Sequence, residues 1–228
     1  MSSLLSALTS LLAGFAGPVW AALPAHLNLS YEVTRNGTVI AQIDQSLEYD
    51  ARQYELTESW QGRGLFRLLG TAHRKSRGEV GPGGLVPLEY SDERTGRAAE
   101  RASFDWKAKT VTYQYKDGAK TIPLPANPRD RLQFLFQFSF RPPSGKQVAL
   151  DVIDGRGVSD QVYQVEGRER FKTAAGEFDA LKLVRRKDKG ERAEIWLAAD
   201  RDYVPVRILW ITKDGERIDQ VLTKLAAP

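Results

Sequence analysis

From residue 27 onward, apolar and polar side chains alternate along most of the chain. Leu27, Leu29, Tyr31 and Val33 stand every second residue among polar neighbours, the period of a half-buried strand. Asn36-Gly37 follows. A two-residue hairpin turn needs positive φ at both central positions, which this pair tolerates. The same pattern predicts strands at 38–49, 54–61, 72–80, 86–92, 100–106, 110–115, 120–124, 148–153, 161–171, 178–186, 193–197, 204–210 and 217–225. Asp117-Gly118, Asp188-Lys189-Gly190 and Lys213-Asp214-Gly215 supply turns between neighbours. Strands spaced about ten residues apart and joined by tight turns predict an antiparallel meander.

One segment departs from this pattern. Asn127-Pro128-Arg129-Asp130 has the punctuation of a helix start, with a capping Asn, a Pro preset for the first turn and an Asp three residues on. Leu132, Phe134, Leu135, Phe136, Phe138 and Phe140 follow, and Arg141-Pro142-Pro143 ends the run. The alternation from Leu132 to Phe140 also fits a strand, but punctuation at both ends favours a helix. Its polar arc, Asp130, Gln133 and Gln137, is too narrow for a surface helix. The fold expected is mainly β: an antiparallel meander forming a strongly curved sheet or open half barrel, with one apolar helix in its concavity. Arg141-Pro142-Pro143-Ser144-Gly145 reads as a loop within one domain, with a two-lobed arrangement as the alternative.

Residues Met1 to Trp20 carry no charged side chain. Leu4, Leu5, Leu8, Leu11, Leu12 and Phe15 form an apolar run, and Val19-Trp20-Ala21 offers a cleavage site after Ala21. The expectation is a signal peptide over 1–21 and a single β-rich domain over 22–228. An uncleaved membrane anchor is the alternative. The chain has no cysteine, which removes disulfides, thiolate nucleophiles and Cys-type zinc sites. With 33 Lys and Arg against 29 Asp and Glu, the mild positive balance fits an ordinary mixed surface or contact with anionic lipid.

With the strands placed, the sequence resembles domain of unknown function family 3108, a family of exported bacterial proteins. The resemblance covers nearly the whole chain after the leader. It rests on Tyr31-Glu32-Val33 before Asn36-Gly37, on Phe104-Asp105-Trp106, and on Asp130-Arg131-Leu132 opening the apolar segment. Thr173-Ala174-Ala175-Gly176-Glu177-Phe178-Asp179-Ala180 is the most telling stretch, followed by Trp196-Leu197, Asp200 and Pro205-Val206-Arg207-Ile208. The family pattern has proline near Ala174, which this sequence lacks. The resemblance implies a β-rich fold and a periplasmic or envelope location. It implies no activity and no functional residues.

Candidate chemistry is sparse. His73 has no orienting carboxylate or nucleophile at a recognisable spacing, His26 reads as exposed linker close to the new N-terminus, and Gly176 with Phe178 and Asp179 reads as a strand–turn–strand joint. Asp92-Glu93, Asp151 with Asp154, and Asp200 with Asp202 are turn-type carboxylates, or the pair of a hydrolase. Arg74-Lys75-Ser76-Arg77 and Arg185-Arg186-Lys187 read as solvated basic turns and edges. Trp60, Trp196 and Trp210 read as packing residues rather than a sugar platform. Gly64 to Gly70 is an apolar stretch between glycines, either a short helix closing one end of the sheet or a lip over a cavity. The function expected is a non-catalytic envelope protein that holds a hydrophobic or amphipathic ligand such as a lipid, or a partner protein, in the concave face. Leu65, Phe66, Leu69, Phe134, Phe136 and Phe138 are the expected lining, although the same residues suit a core. Catalytic residues, metal ligands, cofactors and nucleic-acid partners are not expected. The alternatives are an assembly factor that binds protein or cell-wall polymer through sheet edges, and a carboxylate-based hydrolase.

Overall fold

A computed structural model describes residues 23–187 and 190–226. The expected leader and the first two residues of the Asp188-Lys189-Gly190 turn lie outside the described residues. All fifteen strands belong to one sheet: β1 (His26–Arg35), β2 (Thr38–Tyr49), β3 (Gln53–Gly62), β4 (Thr71–Gly81), β5 (Gly84–Arg94), β6 (Glu100–Asp105), β7 (Thr110–Tyr115), β8 (Gly118–Pro123), β9 (Pro128–Asp130), β10 (Gln147–Asp154), β11 (Gly157–Thr173), β12 (Gly176–Arg186), β13 (Arg192–Ala198), β14 (Val204–Ile211) and β15 (Arg217–Ala226). The order is β8-β7-β6-β5-β4-β3-β2-β1-β15-β14-β13-β12-β11-β10-β9. The first and last of these strands therefore pair at the centre of the sheet, and strands from the middle of the series form its edges. Every ladder is antiparallel except the short β9–β10 pairing. No ladder joins β8 to β9, so the sheet is not a closed barrel.

The strands form where alternation places them. On β1 the buried residues are Leu27, Leu29, Tyr31 and Val33. Asn36 and Gly37 both adopt positive φ, 49° and 83°, which closes the first hairpin as expected.

The helix start differs from the expectation. Residues 128–130 form β9, and α1 runs only from Gln133 to Phe140. Asn127, just before β9, is tied to β10: its N–H bonds the Asp151 carboxylate at 2.9 Å and its side-chain amide bonds the Ala149 carbonyl at 2.5 Å. Asp130 supplies the cap instead. One carboxylate oxygen accepts the N–H groups of Leu132 (2.8 Å) and Gln133 (2.7 Å), two of the donors a helix start leaves free.

The polar arc of α1 is buried too. Gln137 accepts the Leu85 N–H at 3.0 Å and donates to the Gly83 carbonyl at 2.7 Å. Gln133 donates to the Leu85 carbonyl at 3.2 Å. These bonds fasten α1 to the β4–β5 hairpin, where Gly84 (φ 102°) packs so closely on the Gln137 amide that a Cβ would overlap it. Phe134, Leu135, Phe136 and Phe138 enter the core, each buried Phe contributing about 1.5–3 kcal/mol.

Candidate functional site

Cross-strand register aligns a row of polar side chains on the same sheet face as the core. Gln45 of β2 pairs with Glu58 of β3, Glu58 with Arg74 of β4, Arg74 with Asp92 of β5, and Asp92 with Glu100 of β6. All but Arg74 are buried. Gln45 donates to Glu58 at 2.6 Å. Arg74 forms ion pairs with Glu58 and, at 2.9 Å, with Asp92. Arg94 also grips Asp92, at 2.5 Å. Burial alone would raise the Asp92 pKa, but the hydrogen bonds and charges of Arg94 and Arg74 outweigh it and hold the carboxyl below its usual range. The last member, Glu100, is met from the far side of the sheet order. Arg156, in the β10–β11 turn, pairs with it at 2.7 Å and lies 4.5 Å from the Tyr115 ring centre.

Between this row and the β10–β14 half of the sheet lies a cleft of about 430 Å³, within the range of small-molecule sites. Leu132, Phe134 and Leu135 from the start of α1, Val152 of β10 and Ile208 of β14 give it an apolar floor. The polar lining is biased toward cations, with Arg74, Arg131, Arg156, Arg185 and Lys187 against Glu58 and Asp154. Most of these charges are matched. Arg131 pairs with Asp154 at 3.5 Å, and Lys187 with Glu191 at 3.1 Å. Arg185 of β12 is different. It makes no ion pair among the described residues, its Nε finds no hydrogen-bond acceptor there, and its guanidinium lies 5.9 Å from the centre of the Tyr163 ring. Trp210, 38 % exposed, borders the cleft beside it.

The helix-capping carboxylate sits behind this floor. Asp130 is fully buried, and its second oxygen accepts the Ser76 hydroxyl at 2.5 Å. The Tyr54 and Ser76 hydroxyls are 2.9 Å apart. Burial pushes the Asp130 pKa up to about 6, against the opposing pull of its hydrogen bonds. The same network joins β9 to β3 and β4, which lie far from it in the strand order.

Of the expected lining residues, Phe134 reaches the cleft, while Phe136 and Phe138 are buried in the core away from it. Leu65 and Phe66 lie elsewhere, in a 3-10 segment (Gly64–Leu69) between β3 and β4. Leu65 is exposed and Phe66 half-buried. The Leu69 backbone belongs to the same segment. Arg185, read from the sequence as part of a solvated basic cluster, lies near the end of β12, within the strand expected over 178–186, and lines the cleft. Glu58 escaped the sequence reading, and Arg74 was read as part of a solvated basic edge, although a signal was present: each occupies an inward position of its strand, in line with Tyr54 and Leu56 or with Ala72 and Ser76.

Other candidates have structural roles. Phe178 is buried, and Asp179 pairs with Arg168 at 3.0 Å. His73 lies 3.1 Å from the Ser59 hydroxyl in an exposed setting. Trp196 is buried on the other sheet face. Phe171 stacks on it, and Arg207 and Lys182 lie 4.5 and 5.0 Å from its ring centre.

Residues 27–223 match the family described as protein of unknown function DUF3108. No curated protein matches the sequence. Among solved structures, a beta-barrel-like protein of domain of unknown function DUF1849 from Brucella abortus is similar with a TM-score of 0.58 at 9 % identity, covering 91 % of this chain and 100 % of its own. A candidate exported protein with a YmcC-like fold from Bacteroides fragilis gives 0.42 at 11 % identity, over 90 % of this chain and 97 % of its own. A candidate lipoprotein from Parabacteroides distasonis gives 0.38 at 12 % identity, over the same shares. The first likeness establishes a shared fold.

Proposed function

This chain belongs to the DUF3108 family, and on that premise we propose that it is a non-catalytic binding protein of the cell envelope. Its cleft holds an amphipathic anion. The apolar part lies on Phe134, Leu135, Val152 and Ile208, and the anionic head meets Arg185. The observation that carries this reading is Arg185, a cation with no ionic partner among the described residues, at the edge of an apolar hollow. Leaving such a charge unpaired beside low-dielectric walls is unfavourable, and an incoming anion relieves it. The uncharged apolar leader in the sequence supports export to the periplasm.

In this reading the sheet bends round α1 as an open half barrel. The strand order supports the bend. Opposite edges β8 and β9 are joined only by residues 124–127, a link spanning less than about 20 Å. A flat sheet of this many strands would part them by roughly 65 Å.

The rival readings fit the geometry less well. A hydrolase needs a carboxylate free to exchange a proton, and both carboxylates lining the cleft are engaged by arginine. Binding through the free edge of β8 meets Lys120 and Pro123, residue types that discourage strand addition.

Titration with a long-chain fatty acid, followed by intrinsic tryptophan fluorescence, tests the proposal. Binding is expected for the wild type, with at least tenfold weaker binding for Arg185→Glu at unchanged thermal stability. Equal binding by both proteins, or none by the wild type, would contradict it.

A further inference from the structure

We propose that the segment between β3 and β4 is a docking tip for an anionic lipid surface. Leu65 and Leu68 are 88 % and 90 % exposed. Isolated exposed leucines are common on soluble proteins, but these two belong to one fixed turn. The Arg63 N–H bonds the Ile40 carbonyl at 2.9 Å, the Phe66 N–H bonds the Arg63 carbonyl at 2.9 Å, and the Gly70 N–H bonds the Arg67 carbonyl at 3.3 Å. Phe66, between the two leucines, is half-buried. Gly62 lies so close to the Phe66 backbone, and Gly70 to the Thr95 side chain, that neither position has room for a Cβ. The two leucines are thus held outward by the backbone.

Charge around the tip identifies the occupant. Arg63 and Arg67 flank the leucines, and no acidic residue lies between Gly62 and Gly70. The neighbouring β5–β6 turn, against which Gly70 packs, adds Arg97. All three arginines are exposed, and none forms an ion pair among the described residues. Among the described residues the Arg63 guanidinium donates only to the neutral Gln42 side chain. Leucines that sink below lipid headgroups while arginines stay at the phosphates make the pairing that holds interfacial segments on acidic bilayers. The same strands carry the cleft: Glu58 is four residues before Gly62, and Arg74 four after Gly70. Docking therefore brings that end of the cleft toward the bilayer, although the tip's own contact does not depend on what the cleft binds.

The absence of cysteine allows one reporter per molecule. Leu68→Cys carrying an environment-sensitive dye is mixed with phosphatidylglycerol or phosphatidylcholine vesicles. Lys107→Cys, on the exposed turn after β6 and at the opposite end of that strand, is the control. A blue shift at position 68 on phosphatidylglycerol is expected, at least fivefold weaker on phosphatidylcholine and after Arg63→Glu with Arg67→Glu, and absent at position 107. No shift at position 68 on phosphatidylglycerol, an equal shift at position 107, or no loss on removing the charges would overturn the proposal. A tip that meets a protein instead gives the first of these. Fatty-acid titration of the unlabelled protein reads the cleft separately.

Discussion

Asp130 keeps a carboxyl group where water does not reach, between a helix start and the Ser76 hydroxyl. With the folded pKa raised from 3.8 to about 6, the unfolded chain releases the proton first. Between these values folding takes up a proton, so this group's contribution is fully favourable below pH 4 and declines as pH rises toward 6. Asp130→Asn retains a capping oxygen and does not titrate. Relative to that variant, the wild type is expected to lose on the order of 3 kcal/mol between pH 4 and pH 7, read from urea denaturation at both pH values. Identical pH dependence in the two proteins would place the titration elsewhere. Single residues were also where the sequence was least legible. Asp130 could be assigned to a helix start, but its fellow network members Tyr54 and Ser76 sit 76 and 54 residues before it. Nothing in local alternation joins positions so far apart.

At the scale of elements, α1 is both plug and floor. Phe134 faces the cleft, whereas Phe136 is completely buried. Phe136→Ala is expected to cost about 3–5 kcal/mol, the range for emptying a packed aromatic site, measured as a shift in the urea midpoint. A loss below about 1 kcal/mol would mean that the helix is loosely seated. The type of this element was legible because Pro142 and the apolar run constrain it. Its beginning was not, because Asn127 and Pro128 suit a helix cap and an edge strand equally well. The parallel partner that decides between them, β10, lies about twenty residues later. Strands flanked by tight turns were legible almost throughout, since each pairs with its sequence neighbour and the turn chemistry is local. The pairing of β1 with β15 had no such local cue.

Across the whole molecule, two halves of one sheet meet without a ladder between them. Gly155 packs against the backbone of Glu100 and Arg101 too closely to admit a Cβ, and the next residue, Arg156, pairs with Glu100. Gly155→Ala is expected to destabilise by about 1–3 kcal/mol and to raise amide exchange in β6, β10 and β11 before the β1–β15 centre. Uniform exchange changes would show that this contact does not act as a separate clasp. The cleft depends on that meeting, because its lining is drawn from both halves. Native mass spectrometry of the full chain recovered gently from the cells that express it tests the central claim most directly. The account predicts a retained acidic amphiphile on the wild type that is lost in Arg185→Glu. Wild-type protein at its bare mass, or an adduct indifferent to Arg185, would contradict it.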